Sequence, residues 1–388
     1  MQHFKNNNNF IHATTSVKKD SLSPSNLSKL WRIGLKTAER TLKSTSHQCI
    51  KTAGDLHRRF RTDKAHMRYK RISTKHGKFY VDTLFSKVKS IRGYTCGNLY
   101  TNNIGFRKFY PMVSNNQDES TSTLRYFIET VGLPHSLHAD NHTTYKSNKF
   151  RSYCKKYHIP QTWTEPYSPW QNRAESGIKE VKSYAYKLME STQTPLRLWC
   201  FAFEYAADIL SLMATGLYQL DGRTPYEVVH GYTPDISEYT SFKWYQWAYY
   251  WDEIEKEKRL CRWLGPAHNV GQSMCYYVLK SNGEFIARST VIPIPDEDLE
   301  QDVVKNMIEK FTAAIDDNIG NHTNAIIRGV QVDDDKRYES ALNYDKNDDE
   351  IIYPWDAKST DVPTYEKENE LKYEPMYEYV GAHITMQH

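Results

Sequence analysis

Residues 79–85 read Phe79-Tyr80-Val81-Asp82-Thr83-Leu84-Phe85. Aromatic, β-branched and apolar, the stretch predicts a strand buried on at least one face. Asp82 breaks its pattern. An ionised carboxylate in an apolar strand is costly unless it lies at an edge, is paired, or binds a metal. Tyr94–Tyr100 and Phe106–Met112 repeat the strand composition after turns marked by Gly93 and Gly105. The three segments predict an antiparallel meander.

Further along, Ser122–Val131 predicts a helix that Gly132-Leu133-Pro134 ends. A short strand, Ser136–Ala139, then delivers Asp140. A helix over Asn148–Tyr157 gathers Phe150, Tyr153 and Cys154 on one side. Pro160–Trp163 predicts another strand, and the loop Glu165–Gln171 leads into a long helix over Arg173–Glu190. The order β-β-β-α-β-α-β-α is that of an α/β fold with a mixed five-stranded sheet and flanking helices. Two more helices are expected over 195–216 and 224–230. The most apolar run, Leu198–Leu220, contains Glu204 and Asp208, so it predicts a buried helix and no membrane partner.

Charge is divided unevenly. Residues 1–110 hold 23 Lys/Arg against 5 Asp/Glu, and residues 296–388 hold 9 against 23. That asymmetry suggests a nucleic-acid-facing front and an acidic, flexible tail with local helix over 296–388. Residues 1–20, rich in Asn, predict disorder. Over 21–56, Ser23-Pro24-Ser25 can start one helix, Gly34 breaks it, and a second can run from Lys36 to Leu42. This is either a helix-turn-helix, with Lys36, Arg40 and Lys43 turned to DNA, or a plain helical hairpin. The basic linker 57–76, with Arg58, Arg59 and Arg61, can grip phosphates, act as a nuclear address, or be a solvated connector. Alternation from Phe242 to Ile294 predicts a small β-barrel as a domain over 236–295. The 6 cysteines form no CxxC pair, which points to a reduced compartment. The polar N-terminus is not expected to be a signal peptide.

Three carboxylates stand where chemistry is done: Asp82 in the first strand, Asp140 at the end of the fourth, and Glu175 in the first turn of the long helix. Together they would supply the hard oxygen ligands that Mg²⁺ prefers, and two such ions can drive an in-line displacement at phosphorus. Spacing alone does not establish that they meet; a capping Asp, a strand-edge Asp and a surface Glu remain open readings. Glu175, Lys179, Lys182 and Tyr186 share one helix face, which suits a metal site flanked by phosphate-gripping groups. Lys179 can equally pair with Glu175 across one turn. His135, His138, His142, Cys154 and His158 match no compact zinc spacing. Trp163, Trp170 and Trp199 are read as packing residues.

Taken together, Tyr80-Val81-Asp82-Thr83, His138-Ala139-Asp140-Asn141 and Tyr167-Ser168-Pro169-Trp170-Gln171-Asn172-Arg173-Ala174-Glu175 form a specific set. Leu198-Trp199, Thr224-Pro225-Tyr226-Glu227 and Gly231-Tyr232-Thr233-Pro234 extend it. Over 77–235 the chain resembles the integrase catalytic core of copia-like long-terminal-repeat retrotransposons, which is similar to retroviral integrase. There are 57 residues between Asp82 and Asp140 and 34 between Asp140 and Glu175, and the second interval is close to the one usual in that family. The resemblance implies an RNase H-like core with Asp82, Asp140 and Glu175 as catalytic triad and ligands of two Mg²⁺ (or Mn²⁺). It implies 3′-end processing and strand transfer of element DNA into target DNA, with Arg173, Lys179 and Lys182 as DNA contacts. It also implies a homo-oligomer, a place in the nucleus or a cytoplasmic virus-like particle, and an origin in a longer polyprotein. Glu378-Tyr379-Val380-Gly381-Ala382 resembles the junction toward a reverse transcriptase. The sequence departs from the family in three ways. Cys49 is the only cysteine before Cys96, so the His-His-Cys-Cys module is missing and no zinc is expected. Ala139 precedes the second acid, and His142 stands where a Gly is common. A catalytically dead DNA-binding relic and a related RNase H-like transposase or nuclease are the alternatives.

Overall fold

The computed structural model describes residues 22–47, 70–165, 172–252, 254–268, 270 and 274–319. Arg58, Arg59 and Arg61, the loop at 166–171 and the chain beyond 319 lie outside the described residues.

Strands β1 (Lys78–Phe85), β2 (Cys96–Asn102) and β3 (Arg107–Met112) form the expected antiparallel meander. Gly105 holds φ +85° in the second turn, a backbone that favours glycine. β4 (Ser136–Ala139) and β5 (Gln161–Trp163) join parallel to β1, giving a mixed sheet in the order β3-β2-β1-β4-β5. The two-residue period of β1 divides its side chains between two cores. Phe79 and Val81 pack with Phe127, Tyr145 and Phe150 from α3 (Gln117–Thr130), α4 (Thr143–Lys146) and α5 (Asn148–Lys156). Leu84, with Leu99 and Phe109, packs against α6 (Arg173–Ser191) and α7 (Trp199–Leu212).

Two differences from expectation have local causes. Helix α3 begins at Gln117, well before 122, because the Asn116 side chain accepts from the Glu119 N–H at 2.8 Å. Its first turn carries Asp118 and Glu119, which suit the helix dipole but have no apolar period to reveal them. Helix α4, not expected, is four residues long and starts on His142.

Helices α1 (Pro24–Trp31) and α2 (Leu35–Lys43) form the expected pair, with Ser23 capping α1. They do not stand apart from the body. Leu27, Trp31 and Ala38 belong to the same apolar cluster as α6 and α7. Trp31 Nε1 donates to the Tyr239 carbonyl at 3.0 Å, Tyr184 donates to the Trp31 carbonyl, and the Ala214 N–H donates to Thr41 Oγ1 at 3.0 Å. After α8 (Pro225–His230) and α9 (Ser237–Thr240) comes a second sheet. It comprises β6 (Trp247–Asp252), β7 (Glu257–Pro266), β8 (Tyr276–Leu279), β9 (Phe285–Arg288) and β10 (Val291–Pro293), antiparallel in the order β10-β6-β7-β8-β9. β9 and β10 sit at opposite ends of that order, yet only Ser289 and Thr290 join them. Two residues span little distance, so the sheet must curl until its ends approach. The end strands are not paired with each other among the described residues, which leaves a curled open sheet where a small barrel was expected.

The acidic region does not begin as a flexible tail at 296. Helices α10 (Asp296–Leu299) and α11 (Asp302–Ile319) follow the sheet, and Val304, Phe311, Ile315 and Ile319 of α11 are buried. Phe311 meets Trp247 edge-on at 5.1 Å, and Arg197 donates to the Ile319 carbonyl at 3.1 Å. Apolar positions at 304, 308, 311 and 315 carry helical spacing that the acid content masks. No helix among the described residues is long and apolar enough to cross a membrane.

Candidate active site

Val81 lies opposite Ala139 in the parallel pair of β1 and β4. Asp82 and Asp140 each follow one of these residues, so they stand side by side at the rim of the sheet. Each makes the same local turn: Asp82 Oδ1 accepts from the Thr83 N–H at 2.7 Å, and Asp140 Oδ1 from the Asn141 N–H at 2.7 Å. Glu175 reaches this rim from the first turn of α6, which Asn172 caps. Gly177 sets how closely that helix lies on the sheet. A Cβ there would stand 3.3 Å from both Leu99 and Thr101, tighter than ordinary contact.

Electrostatics report on the convergence. Burial lifts the Asp82 carboxyl from its ordinary 3.8 to about 6. The Thr83 N–H opposes that rise, the charges of Asp140 and Glu175 add to it, and Lys182 opposes it. Charge effects of this kind fade over roughly a Debye length, about 8–10 Å. The three acids and Lys182 therefore face a common space. They are not drawn tightly together: among the described residues, no three acids, histidines or cysteines stand close enough to hold one metal ion. Glu175 is engaged along its own helix, 3.7 Å from Lys179 Nζ. Both partners are about half exposed, so the pair is worth little and can open.

A buried polar network underlies the rim. Thr83 Oγ1 donates to Asn98 Oδ1 at 2.9 Å and lies 2.9 Å from the Tyr145 hydroxyl, which itself donates to Asn98 Oδ1 at 3.0 Å. Asn98 Nδ2 continues to Thr123 Oγ1 at 3.0 Å, and Tyr100 meets Thr123 at 3.0 Å. Burial pushes the Tyr145 hydroxyl well above its ordinary value, so it stays a neutral hydrogen-bonding group. The network ties the middle of β1, where Thr83 follows Asp82, to α4, which follows Asp140. Sequence reading missed Thr83, Asn98 and Tyr145 as site-supporting residues, since no spacing links three polar groups on three elements. His142, unexpected in its loop, caps α4: its Nδ1 accepts from the Thr144 N–H at 3.3 Å.

The cationic candidates divide. Lys182 faces Asp82, Lys179 is exposed beside Glu175, and Arg173 is exposed at the start of α6. Tyr186 turns instead into the core, 5.5 Å from the Phe203 ring, so the helix face stops short of it. Lys36, Arg40 and Lys43 are exposed on α2. Arg40 and Lys43 share a groove with Asp221, Arg223 and Glu227, none of which belongs to the acidic cluster. Trp199 is a packing residue, its indole donating to the Val88 carbonyl at 2.8 Å. Trp163 is half-buried with Lys146 and Arg151 at 5.9 and 5.8 Å from its ring.

No protein-family model matches the chain, and no curated protein matches it. Among solved structures, the HTLV-2 integrase catalytic core domain in complex with magnesium (trimeric form) is similar at a TM-score of 0.32 and 18% identity. That match covers 39% of this chain and 95% of that one. The BIV integrase catalytic core domain is similar at a TM-score of 0.30 and 18% identity, covering 39% of this chain and 93% of that one.

Proposed function

We propose that the chain is a DNA strand-transfer enzyme of the integrase kind, with Asp82, Asp140 and Glu175 as its catalytic carboxylates. The observation that supports this reading is a buried Asp82, beside Asp140 in the β1–β4 register, that feels the charges of Asp140, Glu175 and Lys182 at one rim of a mixed sheet. Burial, with a smaller push from the neighbouring acids, lifts the Asp82 carboxyl to about 6, so its charged form is held at a cost that a divalent cation would relieve. The donor set, all carboxylate oxygen, fits Mg²⁺ or Mn²⁺. Bound there, such ions would polarise a phosphate and the attacking oxygen. Closing on them requires Glu175 to leave Lys179. The chain's own part is to hold Asp82 and Asp140 in register through the Thr83–Asn98–Tyr145 network. Lys179, Lys182 and Arg173 would set a DNA phosphate against the acids.

In the proposed reaction, water attacks a phosphodiester near the 3′ end of a linear DNA and the bridging 3′ oxygen leaves as a hydroxyl. That hydroxyl then attacks a phosphodiester of target DNA, expelling its bridging 3′ oxygen. DNA, a homo-oligomeric assembly and a retrotransposon origin belong to the same reading. The open spacing of the acids favours one other reading, a DNA-binding relic without catalysis. A strand-transfer assay in Mg²⁺ or Mn²⁺, comparing the full chain with Asp140→Asn and Glu175→Gln, decides between them. Joined product from the wild type and a loss of about a hundredfold or more in each variant is expected, because each removes charge stabilisation of the transition state. Equal background from all three proteins sinks the catalytic reading.

A further inference from the structure

The far end of α6 lies well away from the acids. Leu188 stands about 20 Å along that helix from Glu175. There a pocket of about 240 Å³ opens between α1, α6, α10 and the strands β6 and β7. Its charges do not balance. Lys29, Arg32, Lys243 and Arg262 line it, against Asp296 alone. None of the five takes part in an ion pair among the described residues. Lys29, Arg32 and Lys243 are exposed, so the pocket is open to solvent. Lys29 and Arg32 also suit the C-terminal end of α1, but such an end carries only roughly half a unit of negative charge, and its influence fades within a turn. It accounts for neither Lys243 nor Arg262. Glu297, Asp298 and Glu300 stand on and just after α10 but do not line the pocket, and Glu300 pairs with Lys305 at 3.0 Å.

Arg262 is held in place by the fold. It stands opposite Trp247 in the β6–β7 ladder and lays its guanidinium on that ring, 3.4 Å from the centroid. Its Nη1 donates to the Tyr245 carbonyl at 2.7 Å. Tyr245 itself, at φ +57°, has a backbone that a bulky residue rarely adopts, and strain of this kind gathers at ligand sites. Burial pushes the Arg262 guanidinium down from its ordinary 12.5 to about 10; only Tyr245 opposes that fall, and no carboxylate does. Nε and Nη2 keep no hydrogen-bond partner among the described residues. A cation this far withdrawn from water is ordinarily paired with an acid.

We propose that this pocket binds phosphate groups, gripped by Arg262 and drawn in by Lys29, Arg32 and Lys243. The chemistry of the wall selects that ligand. A guanidinium offers a planar fork of N–H donors that matches two phosphate oxygens, and its seat on Trp247 fixes the fork before the ligand arrives. Three further cations neutralise more charge than a single carboxylate brings. The surplus calls for a polyanion, either successive phosphates of a DNA backbone or a free polyphosphate. The proposal is independent of the catalytic reading, since none of its residues belongs to the acidic rim.

The test titrates the full chain with inorganic pyrophosphate at low ionic strength, followed by calorimetry. Arg262→Gln should weaken binding about tenfold or more, as the loss of charge-assisted hydrogen bonds does. An Arg32→Gln, Lys243→Gln double variant should weaken it severalfold; both side chains are exposed, so this variant serves even if Arg262→Gln fails to fold. Asp296→Asn should tighten binding severalfold, an outcome that purely structural roles do not give. A short DNA duplex then identifies the source of the phosphates. A slope of log K against log salt that flattens by about 2 in the double variant assigns them to DNA. An unchanged slope beside weakened pyrophosphate binding assigns them to a free polyphosphate. Loss in neither measurement overturns the proposal. So does a glutamate octapeptide that binds more tightly than pyrophosphate and is lost in the same variants, which would make the occupant a protein.

Discussion

Replacing Asp82 by Asn removes a carboxylate that the fold holds against its own preference. Burial pushes the Asp82 carboxyl up from its ordinary 3.8 to about 6 in the folded chain. The native state therefore keeps a proton that the unfolded chain releases between these values. Stability must fall as pH rises through that window, and the fall is complete above about 6. Slightly more than two pH units at 1.36 kcal/mol each make a ceiling of about 3 kcal/mol, lowered by whatever solvent screening the rim retains. Asn keeps the Oδ1 that accepts from Thr83 but carries no charge. Urea denaturation of both proteins in chelator-containing buffer should show near-equal stability below pH 4. At pH 7.5, Asp82→Asn should be more stable by about 1–3 kcal/mol. Adding Mg²⁺ at about a hundred times its Kd should return about 2.7 kcal/mol to the wild type and nothing comparable to the variant. A variant that is no more stable than the wild type at pH 7.5, with the same dependence on pH, would refute the argument that burial, aided by the neighbouring acids, penalises the charged Asp82 carboxylate.

Two further outcomes follow from the packing and charge around α6. Trp31→Ala should cost about 3–5 kcal/mol in urea denaturation, because it empties a fully buried site and leaves the Tyr239 carbonyl without its indole donor. A cost below 1 kcal/mol would mean that α1 is only loosely attached. Lys182→Ala should weaken DNA binding evenly across sequences and flatten the slope of log K against log salt by about 1. An unchanged slope would remove Lys182 from the DNA surface.

The parts of the fold legible in the sequence were those with a strong period or a firm punctuation mark. Ser136–Ala139 lies between Gly132-Leu133-Pro134 and a polar loop, and Arg173–Ser191 carries an apolar stripe behind the Asn172 cap. Helix α11 falls where a flexible tail with local helix is expected; its packing against the body is not legible because acids on its solvent face dominate its composition, while the stripe from Val304 to Ile315 is sparse. The curl of the second sheet was not legible, since pairing between strand ends is a long-range property. At the site, the acids could be named from their elements, but their approach to one another depends on the β1–β4 register and the close seat at Gly177. Tyr145 and Asn98 left no trace in the sequence, as neither motif nor period connects them. Tyr186 shared the right helix face on paper, yet the Phe203 ring claims it.

The single apolar cluster that joins Leu27 and Trp31 to Phe311 and Ile319 through α6 and α7 bears on biosynthesis. As the chain leaves the ribosome, α6 emerges long before α11 exists to cover its neighbours. Until then, aromatic surface such as Trp247 lies bare, a liability for aggregation in a large chain. A truncated product ending near 235 would keep all three acids, Asp82 on β1, Asp140 after β4 and Glu175 on α6, but would lack the second sheet and α11 that complete the shared apolar cluster.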